Sequence, residues 1–340
     1  MIILGIETSC DETSAAILKI DRGSFNIASN VVSSQIDIHT VYGGVVPEIA
    51  AREHVKNINF VIDDALTKAK IKPKDIDLIA IASGPGLITS LIAGTEAAKT
   101  LSYAWGVPII SVNHMYGHIA GNFLEKIKFP ALCVLVSGGH SELILLKDYN
   151  NFKKIGQTID DAAGEAFDKV AKMLGLGYPG GPIVSAYAEE FRKSGKTPKV
   201  SFPRPMLHSG DYNFSFSGLK TSVLYTVQKM GKLNKKKKEE VCYEFQEAVV
   251  EVLTKKAIKA AKEYNIKSIM MAGGVAANRK LRSSLEGAAK ELGLSFYVPE
   301  FKLCTDNAAM VAIGGYYLNK KTKAKKDNWK NIVADPNWEL

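Results

Sequence analysis

Met1-Ile2-Ile3-Leu4-Gly5-Ile6-Glu7-Thr8-Ser9-Cys10-Asp11-Glu12-Thr13-Ser14 opens the chain, and Leu135-Val136-Ser137-Gly138-Gly139-His140-Ser141-Glu142-Leu143 repeats its logic further on. Each is an apolar strand, a polar turn of small residues, and a second apolar strand: a hairpin whose backbone amides converge on one spot. Working outward from the first, periodicity predicts strands at 2–7, 13–20 and 25–33, a helix at 47–70, strand 77–82, helix 87–105, strand 108–112 and helix 114–126. Outward from the second come strands 131–136, 141–147 and 152–157, then strand 267–272, helix 276–292, strand 295–299 and helix 305–320. The turns correspond as well: Ser83-Gly84-Pro85-Gly86 and Ala272-Gly273-Gly274-Val275 each join a β-rich run to a helix. The same order twice argues for an α/β protein of two duplicated lobes related by a pseudo-twofold, their hairpins expected to face each other across a cleft. The expected domains are 1–127, 128–320 with a helical insert at about 160–264, and a polar, basic tail at 321–340 that should fray. In the insert, Val241, Phe245, Ala248, Val249, Val252 and Leu253 form one helical stripe that reads as core.

Composition narrows the class. Of 340 residues 46% are hydrophobic, which excludes disorder and collagen-like architecture and suits two lobes. No run of about 18 apolar residues is available to span a bilayer. The first six residues are too short for a signal peptide and read as a buried strand. Cys10, Cys133, Cys242 and Cys304 form no CxxC pair, so neither a disulfide framework nor a cysteine zinc site is expected, and a reducing cytosol fits. The formal charge is +9, unevenly spread: residues 192–238 carry twelve Lys/Arg against the single acid Asp211. That density is a candidate polyanion footprint, although the run Lys235–Lys238 alone also reads as a solvated face.

Several residues could carry chemistry. His114 and His118 are four apart, so a helix projects both imidazoles from one face. Such pairs often serve packing; the repeat supplies a third member, because Thr305-Asp306-Asn307 occupies the place equivalent to Val112-Asn113-His114. Two imidazoles and a carboxylate suit Zn²⁺ or Fe²⁺. HExxH proteolysis is disfavoured, since Met115 stands where the glutamate base would be and Gly117 weakens a rigid helical pair. Leu135–Gly139 can cradle a phosphate with its amides and the Ser137 hydroxyl. Gly273–Asn278 opens a helix at a strand end, suited to ribose, base or anion contacts. Asp160 and Asp161 read as caps of an acidic helix start, whereas Asp168 lies deeper, where a charge needs a partner or a ligand.

These segments, with Asp161–Lys169 and Phe214-Ser215-Phe216-Ser217-Gly218-Leu219-Lys220-Thr221, resemble the signatures of the tRNA N6-adenosine threonylcarbamoyltransferases of the bacterial TsaD type, once labelled sialoglycoprotein endopeptidases. The resemblance runs from about residue 1 to 318. It implies the actin-like, sugar-kinase-like (ribonuclease H-like) fold and transfer of the threonylcarbamoyl group of threonylcarbamoyl-adenylate to N6 of adenine 37, in tRNAs reading codons that begin with A, with release of AMP. It implies His114, His118 and Asp306 as ligands of one divalent ion, Fe²⁺ by family preference or Zn²⁺. Leu135, Val136, Ser137, Gly138, Gly139, Asp168, Gly181 and Asn278 are then expected to line the adenylate site, with Asp11 near the acceptor as base or orienter. Ser185 departs from the pattern, for many relatives carry an acid there; a weaker neutral hydrogen bond would replace a carboxylate contact to the ribose. The expected partners are the tRNA anticodon loop, a small actin-like paralogue, an ATPase protein and a separate enzyme that makes the adenylate, in the cytoplasm. The alternative is a phosphotransferase or ATPase of the same fold, since the hairpins suit ATP phosphates equally.

Overall fold

The opening apolar runs form the predicted hairpin: in a computed structural model describing residues 1–340, β1 (Ile2–Glu7) pairs antiparallel with β2 (Glu12–Asp21), and β2 with β3 (Ser24–Ser34). A short helix α1 (Ile36–Thr40) leads into α2 (Pro47–Ala69). Proline at the first helical position supplies a pre-set φ where no amide bond is lost. On the buried face of α2, Ile58, Ile62 and Leu66 keep helical spacing and join Leu4, Ile17 and Ile79 of the sheet in one core. Next come β4 (Leu78–Gly84), α3 (Ile88–Trp105), β5 (Ile109–Asn113) and α4 (His114–Ala120). The sheet order is β3-β2-β1-β4-β5, with β4 parallel to both β1 and β5. Helix α4 is shorter than the predicted 114–126, because turns bonded from Asn122 N to Ile119 O (3.1 Å) and from Phe123 N to Ala120 O (2.8 Å) tighten the chain beyond it.

The pattern then repeats with β6 (Ala131–Val136), β7 (Ser141–Asp148) and β8 (Asn151–Gln157). The helical insert is α5 (Ala163–Met173), α6 (Gly180–Lys193), α7 (Ser217–Met230) and α8 (Lys235–Glu263). β9 (Ser268–Ala272), α9 (Arg279–Glu291) and β10 (Ser295–Tyr297) complete a second sheet ordered β10-β9-β6-β7-β8, the topology of the first. The expected stripe of α8, Val241 to Leu253, is buried.

Two corrections follow at the C-terminal end. The chain divides into residues 1–126 with 299–340 as one unit and 127–298 as the other, so the boundary expected at 320 falls earlier and α10 (Ala308–Thr322) belongs to the first unit. Close packing is the reason: a Cβ on Gly5 would collide with Ala308 O, and one on Gly315 with the Ala80 Cβ, so these glycines let α10 lie against β1 and β4. The tail does not fray. Ile332 is buried in the first unit's core beside Trp329, and Asp335 N donates to Ser83 O at 2.8 Å.

Candidate active site

The first unit assembles a His–His–Asp cluster from the two ends of the chain. Asn113 caps α4, its Oδ1 accepting from Met115 N at 2.9 Å and Tyr116 N at 3.2 Å, and this starts a buried helical turn despite Gly117, over which Met310 packs. His114 and His118 therefore share one face, their ring centroids 4.6 Å apart. Asn307 caps α10 and Ser14 Oγ accepts from Ala308 N at 2.9 Å, which fixes Asp306 just ahead of the positive end of that helix. Asp306 Oδ1 lies 3.4 Å from His114 Nε2 and 3.1 Å from His118 Nε2, and one ligand atom from each residue falls within 4.8 Å of the others. The carboxylate thus comes from the same unit as the imidazoles, where the sequence placed it in the opposite lobe.

The cluster suits a cation. His118 is buried: its Nδ1 has no hydrogen-bond partner and its Nε2 faces only the Asp306 carboxylate, outside hydrogen-bond geometry, an expensive state that a metal–nitrogen bond would relieve. Negative charge crowds the same place. Desolvation disfavours charge on Asp306, but His114 and His118 outweigh it and hold that carboxyl well below the usual range. Burial, then repulsion from Asp306 and Asp11, push Glu12 up to about 10. Asp11 is buried in the β1–β2 turn and hydrogen-bonds Cys10 and Glu12. The turn is clamped from outside: Asp11 O accepts from Gln35 N at 3.1 Å, and His54 Nδ1 and Nε2 meet Thr13 Oγ1 (2.8 Å) and Cys10 O (3.0 Å). Sequence reasoning passed over Glu7 and Glu12, although both stand in the opening stretch.

The second unit gathers the remaining candidates. Leu135 and Val136 are buried inside β6, Leu135 paired on both sides with Glu142 and Ala272, so the part of the hairpin open to a ligand is Ser137–Gly139. The turn closes with Ser137 N donating to His140 O (2.8 Å) and His140 N donating to Ser137 Oγ (3.1 Å). Its carbonyls are occupied by the first turn of α5, Gly164 N on Ser137 O (3.2 Å) and Glu165 N on Gly138 O (3.1 Å). A Cβ on Gly138, Gly139, Gly181 or Gly274 would meet open space. Asp168 finds its partner in the start of α6: Oδ1 accepts from Gly180 N at 2.7 Å, which stands in for the missing side-chain cap. Burial still leaves that carboxyl above its ordinary value. Ser185 Oγ donates to Gly181 O (2.9 Å) and accepts from Asn278 Nδ2 (3.0 Å), which also donates to Gln246 Oε1 (3.0 Å). Asn278 Oδ1 in turn caps α9 through Leu281 N at 2.9 Å. Gln246, buried on α8, carried no signal in sequence beyond lying on an otherwise apolar face.

Comparison with known proteins gives the family of the chain. The family model for TsaD, tRNA N6-adenosine threonylcarbamoyltransferase, matches residues 26–313. The curated enzyme of that name from Thermosipho africanus (strain TCF52B) is 52% identical over 323 residues, covering 94% of this chain and 95% of the relative. The one from Bacillus subtilis (strain 168) is 49% identical over 318 residues, covering 93% and 90%. The chain belongs to this family. It is therefore a transferase that modifies tRNA. Among solved structures, full-length HypF in its phosphate- and nucleotide-bound form superposes with a TM-score of 0.61 at 14% identity, over 94% of this chain and 47% of HypF. Component A of the Acidaminococcus fermentans (R)-2-hydroxyglutaryl-CoA dehydratase gives 0.53 at 18%, over 92% and 95%. At such identities the likeness attests the actin-like fold alone.

Within the family frame, two motifs of the second unit lock together. Asp160 bonds Ser215 Oγ (2.5 Å), Phe216 N (2.8 Å), Ser217 N (3.2 Å) and Ser217 Oγ (2.7 Å), capping α7 from another element. Burial works against its charge, but these donors outweigh burial and hold its carboxyl below the ordinary value. Asp161 is lowered in the same way, desolvation being outweighed by Lys220 and Lys169 at 2.5 and 2.9 Å. The basic stretch 192–238 is less positive in space than in sequence. Arg192 and Lys193 pair with Glu189 and Glu190, Arg204 with Glu244 and Glu251, and Lys220 with Asp161.

Proposed function

We propose that the chain transfers the threonylcarbamoyl group of threonylcarbamoyl-adenylate to N6 of adenine 37, in tRNAs that read codons beginning with A, releasing AMP. The observation that carries this reading is the second unit's open rim. Ser137–Gly139 offers amides on a turn whose carbonyls are already bonded, and Gly181, Ser185 and Asn278 form a connected polar ledge without charge. An anionic phosphate suits the first and a ribose the second. Ser185, donating to Gly181 O and accepting from Asn278, leaves a neutral oxygen toward the sugar instead of a carboxylate.

The adenylate is a mixed anhydride with a good leaving group, and the N6 amine is a poor nucleophile. Orientation, stabilisation of developing oxyanion charge and proton removal are therefore what the protein must supply. Asp11, on its clamped turn, orients the amine and accepts its proton. His114, His118 and Asp306 would hold one divalent ion, Fe²⁺ or Zn²⁺ by donor type, which supplies Lewis-acid polarisation when bound. Residues of 192–238 contact the tRNA backbone, and the target adenine is presented unstacked from the anticodon loop. A small actin-like paralogue, an ATPase and a cytosolic setting complete the proposal; no helix is long and apolar enough to cross a membrane.

The test is mass spectrometry of tRNA nucleosides after incubation with threonylcarbamoyl-adenylate, with and without prior chelation. Modified adenosine that appears with the adenylate and falls after chelation supports the reading. Release of ADP from ATP alone, with no need for the adenylate, would favour the phosphotransferase alternative.

A further inference from the structure

Glu7, the last residue of β1, is wholly buried and takes no part in the chemistry assigned above. Its Oε1 accepts from Ser9 N at 2.6 Å and its Oε2 lies 3.0 Å from His114 Nδ1. An ionised carboxylate only accepts hydrogen bonds, so the second contact requires the proton to sit on Nδ1. In the neutral imidazole, the form that binds a metal, that leaves the lone pair of His114 on Nε2, the nitrogen turned toward Asp306 and His118. Ser9 Oγ also stands 3.1 Å from Nδ1, but a hydroxyl donates or accepts and selects neither tautomer.

We propose that Glu7 is a positioning residue for the ion held by His114, His118 and Asp306: by accepting the Nδ1 proton of His114 it fixes the tautomer and ring orientation that a metal needs, and the basicity of its Nε2. This rests on the reading of that cluster as a metal site. Glu7→Gln probes it without changing shape. The glutamine oxygen must serve Ser9 N, so its NH₂ faces Nδ1 and forces the imidazole proton onto Nε2, where it blocks the ion.

The test is a Co²⁺ titration of the full chain followed by visible absorption, together with melting of the metal-free protein. Glu7→Gln should bind Co²⁺ about tenfold to a hundredfold more weakly than the parent. Its metal-free melting curve should stay close to the parent's, and Ser9→Ala should bind nearly normally. Equal affinity and an unchanged spectrum in Glu7→Gln would overturn the assignment, as would an equal loss in Ser9→Ala. Should Glu7→Gln fail to fold, Glu7→Asp decides it: the shorter side chain keeps the charge but draws it away from Nδ1, so weaker Co²⁺ binding is expected and parental affinity refutes the assignment. A parent that binds no Co²⁺ at all overturns the metal reading itself, and the proposal with it.

Discussion

Asp11 and Asp168 show how one residue type takes different work from its surroundings. Asp168 spends its oxygen on the amides opening α6, so it organises the rim, whereas Asp11 sits among Cys10, Glu12 and a clamped turn with no cationic side chain bonded to it. Replacing Asp11 by Ala should abolish transfer while AMP or adenylate binding survives, read by calorimetry beside the nucleoside assay; simultaneous loss of both would refute the division of labour. The reach of sequence reading is plain at this scale. The histidine spacing is legible as a shared face, whereas the caps Asn113 and Asn307 that fix the two helix starts came only with the structure. The acceptor on His114 Nδ1 was not legible either, since nothing local to Glu7 says which of its neighbours in space is an imidazole.

Among elements, α7 borrows its N-cap from Asp160, a residue more than fifty positions earlier in the chain. Asp160→Asn should destabilise the second unit by about 1 kcal/mol, the usual worth of a cap, measured as a shift in urea midpoint near neutral pH. The pH dependence has a definite sign. Asp160 and Asp161 have folded pKa values below the ordinary 3.8, so their contribution is present above that value and is lost as pH falls through the depressed ones. The gap between the parent and Asp160→Asn should therefore narrow in strong acid; a gap that widens would contradict the bonding described. Helix α8 carries the opposite tension. Lys235, Lys236, Lys237 and Lys238 occupy its first turn, against the helix dipole. Changing them to Glu should stabilise the helix yet weaken tRNA binding and flatten its salt dependence. Unchanged affinity in a filter-binding series would remove this turn from the RNA footprint.

Over the whole molecule, the C-terminal residues belong to the first unit for reasons of packing. Ile332 fills a core made by α2, β1 and β4, and Asp335 joins the end of β4. Ile332→Ala should cost about 2–4 kcal/mol through the cavity it leaves, seen as an earlier thermal transition. A change below measurement error would mean that the tail is only draped on the surface. The charge of residues 192–238 belongs to this scale too, because the acids that pair with Arg204 and Lys220 arrive from α8 and from the start of α5.

The sequence alone determined the strand and helix order, the duplication, the two glycine turns and the His114–His118 face, because periodicities of two and of three to four residues, caps and turn chemistry are local properties of a chain. Only the tertiary structure decided that Asp306 shares a unit with those histidines, that Glu7 backs one of them, that Leu135 and Val136 are sealed inside a strand, and that the tail is anchored. Each of these depends on which surfaces meet. An apolar stripe states that it must be buried without naming its partner, and the glycines that let α10 approach the first sheet act only once the two are side by side.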